Sequence, residues 1–214
     1  MGEIHTDGLI FDMDGTIWDN TPLFAASWER ACKDKGYDVH FTPEKLQQLF
    51  GKTMTDIADA CIPDENPDRR YDTVKLCEEY EMQDLADSNQ DTIYEGLEDT
   101  LKVLSQKTKL FIVSNCQQGY IESFIERSGY GKYFTDFICY GDNGYGKADN
   151  IRLIAQKHGL KNPVYIGDIQ GDKNACDEAG IDFIWAAYGY GKTVDGYAAK
   201  VEDIKDLGGI IDGI

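Results

Sequence analysis

With 214 residues and 42% hydrophobic side chains, the chain is long enough for one sizeable domain with a packed core and a smaller insert. Its formal net charge of −18 argues against nucleic-acid or anionic-membrane partners, and an anionic small substrate must be drawn by a local cation. No apolar run approaches the ~18 residues of a membrane span, and Met1 to His5 lacks the zones of a signal peptide. Six scattered cysteines without a C-x-x-C pair read as reduced thiols, so a cytoplasmic location is expected.

The first apolar run, Gly8 to Phe11, leads straight into Asp12-Met13-Asp14-Gly15-Thr16. Two carboxylates at the end of a buried strand are costly unless something compensates them. Residues 17–90 then hold no comparable strand. They show repeated helix starts instead, Thr21-Pro22, Thr42-Pro43 and Asn66-Pro67, each read as an N-cap followed by proline at the first helical position. About 70 residues between neighbouring strands exceeds an ordinary crossover, so this stretch is expected to form a separate helical unit. Its last helix is expected to turn Tyr71, Val74 and Cys77 inward, and Trp28 reads as core.

From residue 91 onward the rhythm changes to short strands alternating with amphipathic helices. Leu110 to Val113, Phe137 to Tyr140, Val164 to Ile166 and Phe183 to Ala187 read as strands. Helical spacing links Leu97, Leu101 and Leu104, then Ile121, Phe124 and Ile125, then Ile151, Ile154 and Ala155. Such alternation predicts an α/β fold: a Rossmann-like open parallel sheet with helices on both faces, built from residues 1–16 and 91–214. Polar groups follow the strands, where sites in open parallel sheets assemble. They are Asp12 and Asp14, then Ser114-Asn115, then Lys147 at a helix start, then Asp168 and Asp172 in Gly-Asp-Ile-Gln-Gly-Asp. Crowded carboxylates require a cation, and hard oxygen ligands beside a phosphoryl group suit Mg²⁺. Gly-Tyr-Gly-Lys occurs three times, ending at Lys132, Lys147 and Lys192. Lys132 and Lys192 read as solvated loop residues.

The ordered set "FDMDGT", "IVSN", Lys147 and "IGDIQGD" resembles the haloacid-dehalogenase superfamily, in particular its phosphoglycolate-phosphatase-like branch, over essentially the whole chain. The resemblance implies an Mg²⁺-dependent phosphatase of a small phosphorylated metabolite that works through an aspartyl-phosphate. Asp12 would be nucleophile and metal ligand. Asp14 would be the acid and base, with its backbone carbonyl on the metal. Thr16 would fix the turn, Ser114, with Asn115 beside it, and Lys147 would hold the phosphoryl group, Asp168 would ligate the metal, and Asp172 would orient the cluster. Residues 17–90 would be a helical cap closing over the cleft, with Ile17, Trp18, Asp19 and Asn20 as one hinge. Lys52, in Gly51-Lys52-Thr53, is the candidate for substrate contact, although an exposed helix-end cation is the preferred reading. A sugar phosphomutase of the same superfamily and a receiver-like phospho-acceptor domain remain as alternatives. The chain is expected to act as a monomer or homodimer.

Overall fold

The computed structural model describes residues 3–90 and 92–213. Residue contacts divide the chain into two units, 1–18 with 93–214, and 19–92.

In the first unit, β1 (Ile4–Thr6) precedes β2 (Gly8–Phe11). Past residue 92, the larger helices α5 (Leu97–Leu104), α6 (Tyr120–Ser128), α8 (Lys147–His158) and α9 (Gln170–Ala179) alternate with strands β3 (Lys109–Ser114), β4 (Phe134–Cys139), β5 (Pro163–Gly167) and β6 (Asp182–Ala186). A four-residue helix, α7 (Tyr140–Asn143), lies between β4 and α8, and β7 (Ala199–Val201), α10 (Leu207–Ile210) and β8 (Ile211–Gly213) complete the unit. The main sheet is parallel, in the order β4-β3-β2-β5-β6-β7, and β1 pairs with β8 in a separate two-stranded sheet.

The near-continuous apolar runs follow from burial on both faces. On one face Ile10, Phe111, Val113, Tyr165, Phe183 and Trp185 pack with Ile151, Ile154 and Cys176 of α8 and α9. On the other, Phe11 meets Phe134 edge-on at 6.2 Å, and Phe134 meets Phe124 of α6 at 6.5 Å. The third expected strand begins earlier than its apolar run, at Phe134, and stops at Cys139, because Tyr140 already belongs to α7. The chain runs from β2 outward through β3 and β4, then returns to β5 on the other side of β2. Residues leaving β2 and β5 therefore meet at the point where strand order reverses, the usual place for a ligand in such sheets.

The second unit contains α1 (Thr21–Asp34), α2 (Pro43–Gln47), α3 (Met54–Cys61) and α4 (Pro67–Asp87). Thr42 and Asn66 cap as expected, their side chains accepting from Lys45 N and Asp68 N. Thr21 does not: the N-cap is Asn20, and Asp19 Oδ1 accepts from both Thr21 N at 3.0 Å and Thr21 Oγ1 at 2.6 Å. A carboxylate two residues upstream offers the helix start a stronger acceptor than the threonine's own hydroxyl. Trp28 is 1% exposed, packs on Phe41 at 5.3 Å, and donates its indole N–H to Glu81. Val74 and Cys77 are buried, but Tyr71 is 38% exposed, with Lys75 Nζ over its ring. Among the described residues no helix is long and apolar enough to cross a membrane.

Glu78, on α4, has its carboxyl pushed up to about 7 by burial, with Glu79 adding to the rise and Lys75 opposing it. A folded-state value above the unfolded one means that ionisation costs stability as pH rises from the ordinary carboxylate range through 7. Glu78→Gln is therefore expected to raise the melting temperature at pH 8 and to leave it unchanged near pH 4. Melting curves across that range test this, and a pH-independent difference would refute it.

Candidate active site

Phe11 ends β2, and the chain then turns back on itself: Met13 O accepts from the backbone N–H groups of Thr16, Ile17 and Trp18, and Gly15 N donates to Trp18 O at 2.9 Å. Gly15 makes the turn possible at φ +80, where a Cβ would fall 2.2 Å from Asp168 Oδ2. The two opening aspartates part company here. Asp12 is 2% exposed and its Oδ1 lies 3.0 Å from Lys147 Nζ, whereas the half-buried Asp14 accepts from the Tyr120 hydroxyl at 2.7 Å.

Lys147 is the first residue of α8, preceded by Gly146 as N-cap, and is 5% exposed. Its ammonium also meets Asp172 Oδ1 at 2.5 Å. The other oxygen of Asp172 accepts from the backbone N–H groups of Asp168 at 3.0 Å and Ile169 at 3.1 Å, so this residue ties the β5–α9 loop to the lysine. Asp168 accepts from Thr16 Oγ1 at 3.4 Å and from Tyr190 N at 2.6 Å. Asp12, Asp168 and Asp172 each bring an oxygen within 4.8 Å of the others. Ser114, 4% exposed, ends the neighbouring β3 two residues beyond the position level with Phe11, and the half-buried Asn115 follows it. Lys52 is exposed and belongs to the helical unit, where its N–H donates to Leu49 O.

Charge in this cluster is out of balance. Burial opposes a positive Lys147, yet Asp12 and Asp172 outweigh it and hold the amine protonated. Burial, with Asp172 adding, pushes Asp12 up to about 6 although Lys147 pulls it down. Asp168 is raised well above the carboxylate range by burial and then by Asp172 and Asp12. Three carboxylates around one ammonium lack positive charge, and an all-oxygen donor set of this kind fits a hard divalent cation such as Mg²⁺. Asp12 and Asp168 would hold it, with Asp172 adjoining.

Four residues of this arrangement were not singled out from the sequence. Besides Tyr120, the third Gly-Tyr-Gly-Lys wraps Asp168: a Cβ on Gly189 would fall 2.3 Å from Gly15 O, and one on Gly191 would fall 2.1 Å from Asp168 O. Tyr190 supplies the N–H between them. The repeated tetrapeptide was the available signal, but attention to its lysine misses the glycines, which act by letting backbone approach; Lys192 itself is exposed, and Lys132 pairs with Glu98. Gly191→Ala is expected to destabilise the protein by about 1–3 kcal/mol, because backbone rather than a movable side chain blocks the new methyl. It should also weaken divalent-cation binding in calorimetry; unchanged melting and unchanged binding would show that the loop tolerates the methyl.

A model of the haloacid dehalogenase-like hydrolases matches residues 9–186. The chain is 26% identical over 210 residues to the pyrophosphatase PpaX of Oceanobacillus iheyensis, covering 93% of this chain and 94% of that protein. It is 24% identical over 195 residues to the phosphoglycolate phosphatase of Vibrio parahaemolyticus, covering 85% and 84%. Its fold matches a haloacid dehalogenase-like family hydrolase of Streptococcus pneumoniae with a TM-score of 0.81 at 17% identity, over 94% of this chain and 96% of that one.

Proposed function

The chain belongs to the haloacid dehalogenase-like hydrolase family, and from that premise we propose that it is an Mg²⁺-dependent phosphatase that releases phosphate from a small phosphorylated metabolite through an aspartyl-phosphate on Asp12. The protein is then a phosphoric monoester hydrolase, in keeping with its similarity to proteins named phosphoglycolate phosphatase and pyrophosphatase. The observation that carries the reading is the buried cluster of Asp12, Asp168 and Asp172, the first and last of them paired with the Lys147 ammonium, at the strand-order reversal.

When bound, Mg²⁺ would neutralise charge on the carboxylates and the phosphoryl oxygens. Asp12 attacks phosphorus through a carboxylate oxygen, and the bond from phosphorus to the leaving oxygen breaks. Asp14 gives that oxygen a proton. It then takes one from the water that attacks phosphorus, the bond to Asp12 breaks, and inorganic phosphate leaves. Lys147, held protonated, supplies the cation that an acidic chain needs to receive an anion, and Ser114 is the hydroxyl donor to the transferring group. The helical unit, 17–90 by sequence and 19–92 by residue contacts, is the proposed cap, and its Lys52 is a candidate substrate contact.

Phosphate release from phosphoglycolate, pyrophosphate, sugar phosphates and an aryl phosphate, each with Mg²⁺ and with chelator, tests the reading. Mg²⁺-dependent release from at least one is expected. No release from any would remove the phosphatase reading, and conversion of a sugar phosphate into its isomer without release would replace it with a phosphomutase.

A further inference from the structure

Tyr120 opens α6 just beyond Ser114-Asn115, after Gly119, whose φ of +90 lets the helix begin there. The ring is 2% exposed and stacks on Trp18 at 5.2 Å and 23°, and Trp18 also meets Phe124 of the same helix at 5.3 Å. Trp18 in turn closes the loop that carries Asp14, through its carbonyl on Gly15 N and its bridge to Asp14. One aromatic pair thus joins the start of α6 to the Asp14 turn, and across that joint the Tyr120 hydroxyl donates to Asp14 Oδ1 at 2.7 Å.

We propose that Tyr120 is a positioning residue for proton transfer: its hydroxyl, donating to Oδ1, fixes the plane in which the Asp14 carboxyl gives and takes its proton. The inference rests on the acid and base role proposed for Asp14. A phenol that donates to Oδ1 holds the carboxyl in one orientation whether it is neutral or ionised, so its proton is presented to the leaving oxygen in one direction. In the first half of the reaction the carboxyl O–H bond of Asp14 breaks and the proton passes to the leaving oxygen as its bond to phosphorus breaks. In the second half the Asp14 carboxylate takes a proton from the attacking water. Tyr120 keeps its own proton throughout. If the hydroxyl merely satisfied a buried tyrosine, its removal would lower stability without distinguishing one ester from another.

The test compares kcat/KM of the Mg²⁺-loaded protein and its Tyr120→Phe variant on p-nitrophenyl phosphate, whose leaving oxygen needs no proton, and on an alkyl phosphate, whose leaving oxygen does. The variant is expected to lose about 10-fold on the alkyl ester and less than about 2-fold on the aryl ester, the size of one hydrogen bond to an ionised group. In an Asp14→Asn background, Tyr120→Phe should add nothing on the alkyl ester. Equal losses on both esters, no loss on either, or a full effect in the Asp14→Asn background would overturn the proposal. Trp18→Phe disturbs the stack and spares the hydroxyl, so it should leave the ester ratio unchanged; a shift equal to that of Tyr120→Phe would assign the effect to packing instead. The two readings fail separately. If Asp14→Asn alone depresses both esters equally, the acid role falls; if Asp14→Asn is selective and Tyr120→Phe is not, only the positioning role falls.

Discussion

Asp12→Asn is expected to lower phosphate release by about 10⁴-fold or more, because an amide oxygen cannot replace the carboxylate as nucleophile and little residual chemistry survives its loss. The same change is expected to leave the chelator-treated protein as stable as the parent, or more so, at pH 8. Burial and Asp172 hold the Asp12 carboxyl at about 6, above the unfolded value. A raised value means that the ionisation penalty is absent below the ordinary carboxylate range, grows as pH rises through about 6, and is complete above it. The stability gain from asparagine should therefore be visible at pH 8 and vanish near pH 4. Lys147 keeps Asp172 as a partner at 2.5 Å, which limits the loss on the other side of the balance. Residual turnover above a few per cent would remove Asp12 as nucleophile, whereas a loss of stability at pH 8 would show that its pairing with Lys147 outweighs burial.

Lys147→Ala is the second change with a large expected effect. It strips the ammonium from two buried carboxylates, and breaking a buried pair by removing one partner typically costs about 3–5 kcal/mol, since the remaining charge is left uncompensated. Asp12 then loses what was pulling its carboxyl down and rises further. The deficit should therefore narrow as pH falls, because a protonated Asp12 no longer needs a counter-charge. Added Mg²⁺ should also recover part of it by supplying positive charge to Asp12 and Asp168. Thermal melts at pH 8 and pH 5, with Mg²⁺ and with chelator, read both effects. A deficit independent of pH and metal would mean that Lys147 contributes through packing of its stem alone. Activity is expected to be lost in either case, with phosphate binding weakened.

The apolar runs at 8–11, 110–113 and 164–166 are legible as strands because the parallel sheet buries both of their faces. Hydrophobic chemistry alone then identifies them, and the acidic groups just beyond their ends are visible in the same pass. The run at 137–140 is less so: β4 starts at Phe134, and its first residues are half-exposed and mixed in polarity, which hides them from an apolar count. The cap of α1 likewise departs from its sequence signature. Thr21-Pro22 carries the usual signature, but the neighbouring Asp19 is a better acceptor, and the cap moves back to Asn20 so that α1 starts at Thr21. Tyr71 was expected inward from spacing, yet a phenol ring half in water beneath Lys75 Nζ satisfies the same helix face.

By itself the sequence determines which groups leave the strand ends, their charge, and their need for a cation: Asp12, Asp14, Lys147, Asp168 and Asp172 declare that chemistry through residue type and order. Only the tertiary structure decides how they divide. Lys147 bridges Asp12 and Asp172, Asp14 turns to Tyr120, and the glycines of the last Gly-Tyr-Gly-Lys close over Asp168. Tyr120 and Asp14 stand 106 positions apart, and Tyr190 and Asp168 stand 22 apart. Such pairings leave no period in the chain. They arise because strand order reverses beside β2, bringing together backbone and side chains whose separation along the sequence carries no information about their distance in space.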